Sequence, residues 1–166
     1  MKSFAAFFFV AATALGLSLQ AAEPTPAASP KAAAPVHVMA LPGGMEWKAA
    51  PPALPAGAQV VLLEGDPKAG GYFAMRIKLP PGYRVPPHFH PVQERVTVLE
   101  GTFLLGQGEA RDETALKEYP AGSYISMPAG MRHFAATKTG AIIQLTTLGP
   151  WGITYVDPAD DPRNKK

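Results

Sequence analysis

The sequence predicts an all-β fold, an antiparallel sandwich or barrel, on three observations. Between residue 59 and about residue 156 the apolar residues fall into short runs of strand length: Gln59–Glu64, Tyr72–Leu79, Arg84–His90, Glu94–Leu99, Thr102–Gly106, Ser123–Met127, His133–Thr137 and Ala141–Leu148. Glycine and proline punctuate those runs, at 64–67, 69–71, 80–82, 100–101, 128–130 and 139–140. No segment sustains the roughly 3.6-residue apolar period of a helix.

Several runs are rich in Val, Ile, Thr, Tyr or Phe, side chains that suit a pleated, half-buried surface. The polar stretch Glu109–Glu118 reads as an exposed loop with room for one helical turn. At 166 residues the chain holds one ordinary domain, and 47% hydrophobic content supplies its core. Charged residues are 17% of the chain, and so low a charge content argues against a wholly disordered protein.

Charge and composition exclude several functions. The formal net charge is +2, and the basic residues are scattered apart from Arg163, Lys165 and Lys166. That pattern gives no footprint for nucleic acid. There is no cysteine, so disulfides, thiolate metal sites, a cysteine nucleophile and a lipoprotein-type anchor are all excluded.

The first 22 residues have the three-part form of a secretory signal peptide. Lys2 gives a positive start, Phe4 to Leu19 an apolar run, and Ala21 and Ala22 the small residues that precede cleavage. The apolar run is 16 residues long, short of the roughly 20 that a spanning helix needs. Cleavage is expected after Ala21 or Ala22, leaving a periplasmic or secreted protein with no stable membrane anchor. Residues 23–58 form a Pro/Ala-rich linker and N-terminal arm, with Met45, Trp47 and Leu54 as packing contacts. The barrel domain spans 59–156 and a C-terminal tail 157–166.

Chemistry concentrates at two places. His88 and His90 lie two apart, so on a strand they share one face and Phe89 takes the other. Glu94 opens the next run, in phase with Val96 and Val98; if that phase is the buried one, Glu94 points inward. An ionised carboxylate alone inside a barrel is costly. A cation beside it removes that cost, and the imidazoles of His88, His90 and His133 can complete its shell. His37, in the Pro-rich arm, and Glu100, a turn residue, are given no role.

Two segments then carry a family resemblance. The stretch from Gly82 through His88, His90 and Glu94 to Gly101 resembles the first cupin motif, G-x5-H-x-H-x3-E-x6-G, at every fixed position. The stretch from Gly122 through Pro128, Gly130 and His133 to Thr137 resembles the second, G-x5-P-x-G-x2-H-x3-N, with Thr137 in place of Asn. The resemblance implies a conical double-stranded-sheet β-barrel of the jelly-roll-like cupin kind, with a metal on His88, His90, Glu94 and His133. Gly101 then suits a tight connection between two strands. Pro128 and Gly130 suit positions i+1 and i+3 of a type I turn ahead of His133.

A shell of imidazoles and one carboxylate suits one divalent transition metal: Mn, Fe, Ni, Cu or Zn. The complete ligand set, with coordination positions left open for water or substrate, points to a metal-dependent enzyme on a small molecule, of dioxygenase, isomerase or decarboxylase type. The alternative is a non-catalytic binding or metal-sensing module. A structural or storage role fits less well, since cupins of that kind have often lost the ligands. Phe103, Tyr124, Gln144 and Arg76 are candidate pocket residues, and a homodimer through sheet edges is the expected assembly.

Overall fold

The computed structural model describes residues 38–165, so the expected signal peptide and residues 23–37 of the expected linker and arm, His37 among them, lie outside the described residues. Ten strands follow one another: β1 (Lys48–Ala49), β2 (Gln59–Glu64), β3 (Gly71–Leu79), β4 (Arg84–Phe89), β5 (Glu94–Gln107), β6 (Lys117–Pro120), β7 (Tyr124–Met127), β8 (His133–Ala136), β9 (Ala141–Gly149) and β10 (Thr154–Tyr155). All pairings among them are antiparallel.

The expected runs Glu94–Leu99 and Thr102–Gly106 are one bent strand, β5, rather than two strands joined by a tight connection. Its first half pairs with β9 through Arg95–Gly101 and with β7 through Glu94–Thr97. Its second half pairs with β6 through Thr102–Leu105 and with β8 through Leu104–Gln107. Two layers result, β1-β2-β3-β9-β5-β7 and β6-β5-β8-β4-β10, which share β5 and curl into a jelly-roll-like barrel.

The bend is a register shift between Val98 and Glu100. Gly101 completes it at φ +72°, where a Cβ would come 2.2 Å from the Gly140 carbonyl oxygen. Neither the backbone conformation nor the space admits a side chain. Gly101→Ala is expected to cost about 2–4 kcal/mol of stability, measured by urea unfolding.

Alternation along each strand builds the core. Phe73, Met75, Ile77 and Leu79 of β3 meet Val96 and Val98 of β5 and Ile143 and Leu145 of β9 on the inner face of the first layer. Val85, Phe103, Leu105, Ala135 and Tyr155 answer from the second. Strands β1, β6 and β10 went unpredicted because they are short edge strands without apolar alternation. The stretch expected as a loop does hold one 3-10 turn, Glu113–Ala115, but its end pairs as β6.

The arm does wrap the barrel. Tyr83 Oη donates to Pro55 O (2.5 Å), and Tyr155 Oη donates to Ala53 O (2.8 Å). Burial pushes both phenols above their ordinary range, so each stays a donor. Leu54 packs against the core, Met45 Sδ receives the Arg76 guanidinium, and Trp47 lies under the Lys78 ammonium. The tail is tied down too: Asp157 and Asp161 cap single 3-10 turns, and Arg163 donates to Ile153 O.

Candidate metal centre

Strand pairing brings the two sequence motifs together. His88 of β4 is the register partner of His133 of β8, and Tyr155 of β10 pairs with His88 from the other side. Just past β4, His90 is held by Gly130 N–H, which donates to His90 O at 2.8 Å. The turn before β8 differs from the expected type I. Met131 N–H donates to Pro128 O, so Gly130 occupies the third position, and its φ of +75° is that of a type II turn.

Glu94 comes from the other layer. The valine phase of β5 is the buried one: Glu94 is 5% exposed, Val96 1% and Val98 0%. The three imidazoles converge, and Glu94 stands against two of them. Ring centroids lie 4.2 Å apart for His88–His133, 5.0 Å for His88–His90 and 5.3 Å for His90–His133. One nitrogen from each imidazole falls within 4.8 Å of the others. Glu94 Oε2 stands 3.4 Å from His90 Nε2 and 3.7 Å from His133 Nε2.

The outer nitrogens decide what the inner ones present. His88 Nδ1 lies 2.7 Å from Pro86 O, His90 Nδ1 2.7 Å from Gly152 O, and His133 Nδ1 2.9 Å from Met131 O. A carbonyl oxygen can only accept, so each Nδ1 carries the proton and donates. In a neutral imidazole the Nε2 lone pair is then free and fixed in direction. Three lone pairs and a carboxylate thus face one another across a small space.

Electrostatics keeps them in that state. Burial, then the neighbouring His133 and His90, holds His88 well below the ordinary histidine value. Burial lowers His90 to about 4, and also lowers His133 although the Glu94 charge opposes it. Desolvation pushes Glu94 up to about 7, against the pull of His133. Among the described residues Glu94 has no Lys or Arg partner; its ion-pair neighbours are His90 and His133. Such a donor set, rich in lone pairs and short of protons, fits a divalent cation.

The cavity around the four groups is small, about 50 Å³. Phe103 lines it as expected. Tyr124 is 62% exposed on the outer face. Arg76 and Gln144 hydrogen-bond each other in the outward phase of β3 and β9, so none of these three is a pocket residue.

Trp151 was missed. It stacks on His90 at 5.0 Å and 17°, and its edge meets Phe73. Its indole Nε1 lies near enough to Glu94 to draw the carboxyl's pKa down, yet no acceptor meets hydrogen-bond geometry, which leaves a buried donor without a partner among the described residues. A lone Trp in Gly149–Gly152, a segment of Gly and Pro with no period, offered only its size as a signal.

Thr137, the one departure from the second motif, has a structural role. It is 2% exposed, and its Oγ1 accepts from Gly140 N–H at 3.0 Å. Thr137→Val should cost about 1–3 kcal/mol in urea unfolding and leave metal content, read by elemental analysis, unchanged.

Residues 36–151 match the family model of the ChrR cupin-like domain. No curated protein matches at a significant level. Among solved structures, the polyketide cyclase RemF from Streptomyces resistomycificus superposes with a TM-score of 0.63 at 20% identity, over 76% of this chain and 90% of that one. A candidate acetylacetone dioxygenase from Methylibium petroleiphilum PM1 gives 0.58 at 18% identity, over 80% and 90%. An RmlC-like cupin from Shewanella frigidimarina NCIMB 400 gives 0.52 at 18%, over 68% and 91%. At these identities the structures speak for the fold alone. The two-layer barrel and the family match over most of the described residues agree: this chain belongs to the cupin superfamily, within its ChrR cupin-like domain family.

Proposed function

We propose that the protein is an exported metal-dependent enzyme on a small molecule, holding one divalent transition metal on His88, His90, Glu94 and His133. One observation carries the reading. Each imidazole has its Nδ1 proton committed to a backbone carbonyl, so all three Nε2 lone pairs meet beside a buried carboxylate that lacks a Lys or Arg partner among the described residues. Bound there, a divalent ion supplies Lewis acidity and open coordination positions for water or substrate. The chain's own part is to fix the imidazole orientations, to keep Glu94 in a dry environment and to shield the site with Trp151 and Phe103.

Two of the structural neighbours bear enzyme names, a polyketide cyclase and a candidate dioxygenase, so the fold is one compatible with catalysis, and the donor set itself carries the reading. The alternative is a metal-sensing or ligand-binding module without turnover. Its support is the family description, which is built on ChrR, and the small inner cavity. Export rests on the first 22 residues, and N-terminal sequencing of the mature protein tests it. A homodimer through sheet edges belongs to the same reading and is tested by light scattering.

Elemental analysis of protein purified from its native compartment should find about one equivalent of a single transition metal. An oxygen-uptake and turnover screen over phenolic, thiol and sugar-acid substrates follows. A compound that binds tightly and is never transformed, with any metal, would favour the sensing module.

A further inference from the structure

Beyond the metal centre lies a second, larger cavity of about 310 Å³, apolar in its lining and open on one side. Val60 pairs with Ile77 and Leu62 with Met75 across β2 and β3, so Val60 and Leu62 share the inward face of those core residues. Among the described residues no strand of the second layer lines this space. The cavity is walled instead by the arm, by Trp151 and Ile153, and by the tail at Arg163, and it opens to solvent at Leu62. Leu54, Trp151 and Ile153 line both cavities. They form a partition with the small metal chamber on one side and the large apolar one on the other.

The charged lining has one sign. Lys68 and Arg163 are its charged residues, and among the described residues no carboxylate lines it. Arg163 is shared with Asp161 and Ile153 O, whereas Lys68 has no ion-pair partner among the described residues. Trp151 N–H donates to Pro67 O at 2.7 Å, which ties the loop bearing Lys68 to the partition. An apolar chamber with cations at its rim matches an apolar body that ends in an anionic oxygen.

We propose that this outer chamber is the binding site for a small apolar carboxylate or enolate, held by its hydrocarbon body against Val60, Leu62 and Met75 and by its anionic oxygen at Lys68. As a substrate site the proposal rests on the metal-enzyme reading; as a binding site it stands by itself.

The test uses 2-naphthoate and its neutral counterpart 2-naphthalenemethanol, titrated calorimetrically into metal-free and metal-loaded protein. Naphthoate should bind one to one, about threefold to fivefold tighter than the alcohol, as befits a rim ion pair. Lys68→Gln should bring the two probes to near equality. Leu62→Trp, at a position 51% exposed and so tolerant of a larger ring, should fill the chamber and weaken both probes about tenfold or more. Metal content should be the same in all three proteins. Equal binding of the two probes, no binding, or binding indifferent to Leu62→Trp would overturn the proposal. So would light scattering that finds a wild-type dimer and a Leu62→Trp monomer, since a second copy would then be the occupant. Naphthoate binding intact in a protein that never holds metal would sink the enzyme reading and leave this one standing.

Discussion

Glu94→Gln is expected to act in opposite directions on the metal-free and the metal-loaded protein. Glu94 is buried, and its folded-state pKa is raised to about 7 from the ordinary 4.5. In the metal-free protein a raised carboxyl contributes stability that is full below pH 4.5 and lost as pH rises through about 7. At pH 8 the wild type therefore carries a buried charge that glutamine lacks. The variant should be more stable there, by roughly 1–3 kcal/mol. The gap should close as pH falls toward 4.5. With metal bound the carboxylate is matched by a positive ion, and a neutral amide in its place should weaken binding and lower the melting temperature. Urea unfolding at pH 8 and pH 5, with and without chelator, reads both signs. A variant less stable than wild type in both states would refute the account.

The histidines work the other way along the pH axis. Their folded-state values lie below the ordinary 6.5, about 4 for His90. Their contribution is present above pH 6.5 and is lost as pH falls toward those folded values, because only the unfolded chain takes up the protons. Three histidines oppose one carboxyl, so acidifying the metal-free protein from pH 6.5 should destabilise it overall.

His133→Ala should give the largest loss of metal affinity, about 100-fold or more by calorimetric titration. A metal site of this kind shares a large binding energy among few donors. The imidazole lost also stands against both His88 and the Glu94 carboxylate. Retention of one equivalent at wild-type affinity would show that the ligand assignment is wrong. Folding of the variant is checked by its far-ultraviolet circular dichroism.

Much of the centre was legible in the sequence because it depends on short-range periodicity. His88 and His90 share a face by spacing, and Glu94 follows the phase of Val96 and Val98. The pocket residues were less legible. Arg76 and Gln144 were chosen for their chemistry, but the phase of β3 and β9 turns them outward toward each other. Trp151 could not be placed because nothing periodic surrounds it; its position follows from the fold of the Gly149–Gly152 segment against Pro67. The bend at Gly101 was read as a tight connection between two separate strands because a glycine between two apolar runs looks the same locally in either case. What distinguishes them is the partner on each flank, β9 before and β6 and β8 after, and partners are remote in sequence.

The placement of Glu94 in one layer and the imidazoles in the other has a mechanical consequence. The chain has no cysteine, so no covalent staple holds the barrel shut. An ion at the centre would cross-link residue 88 to residue 133, 45 positions along, and both to the opposite wall. It would restrict the unfolded chain much as a disulfide does, with the difference that a chelator or a change of ion could undo it.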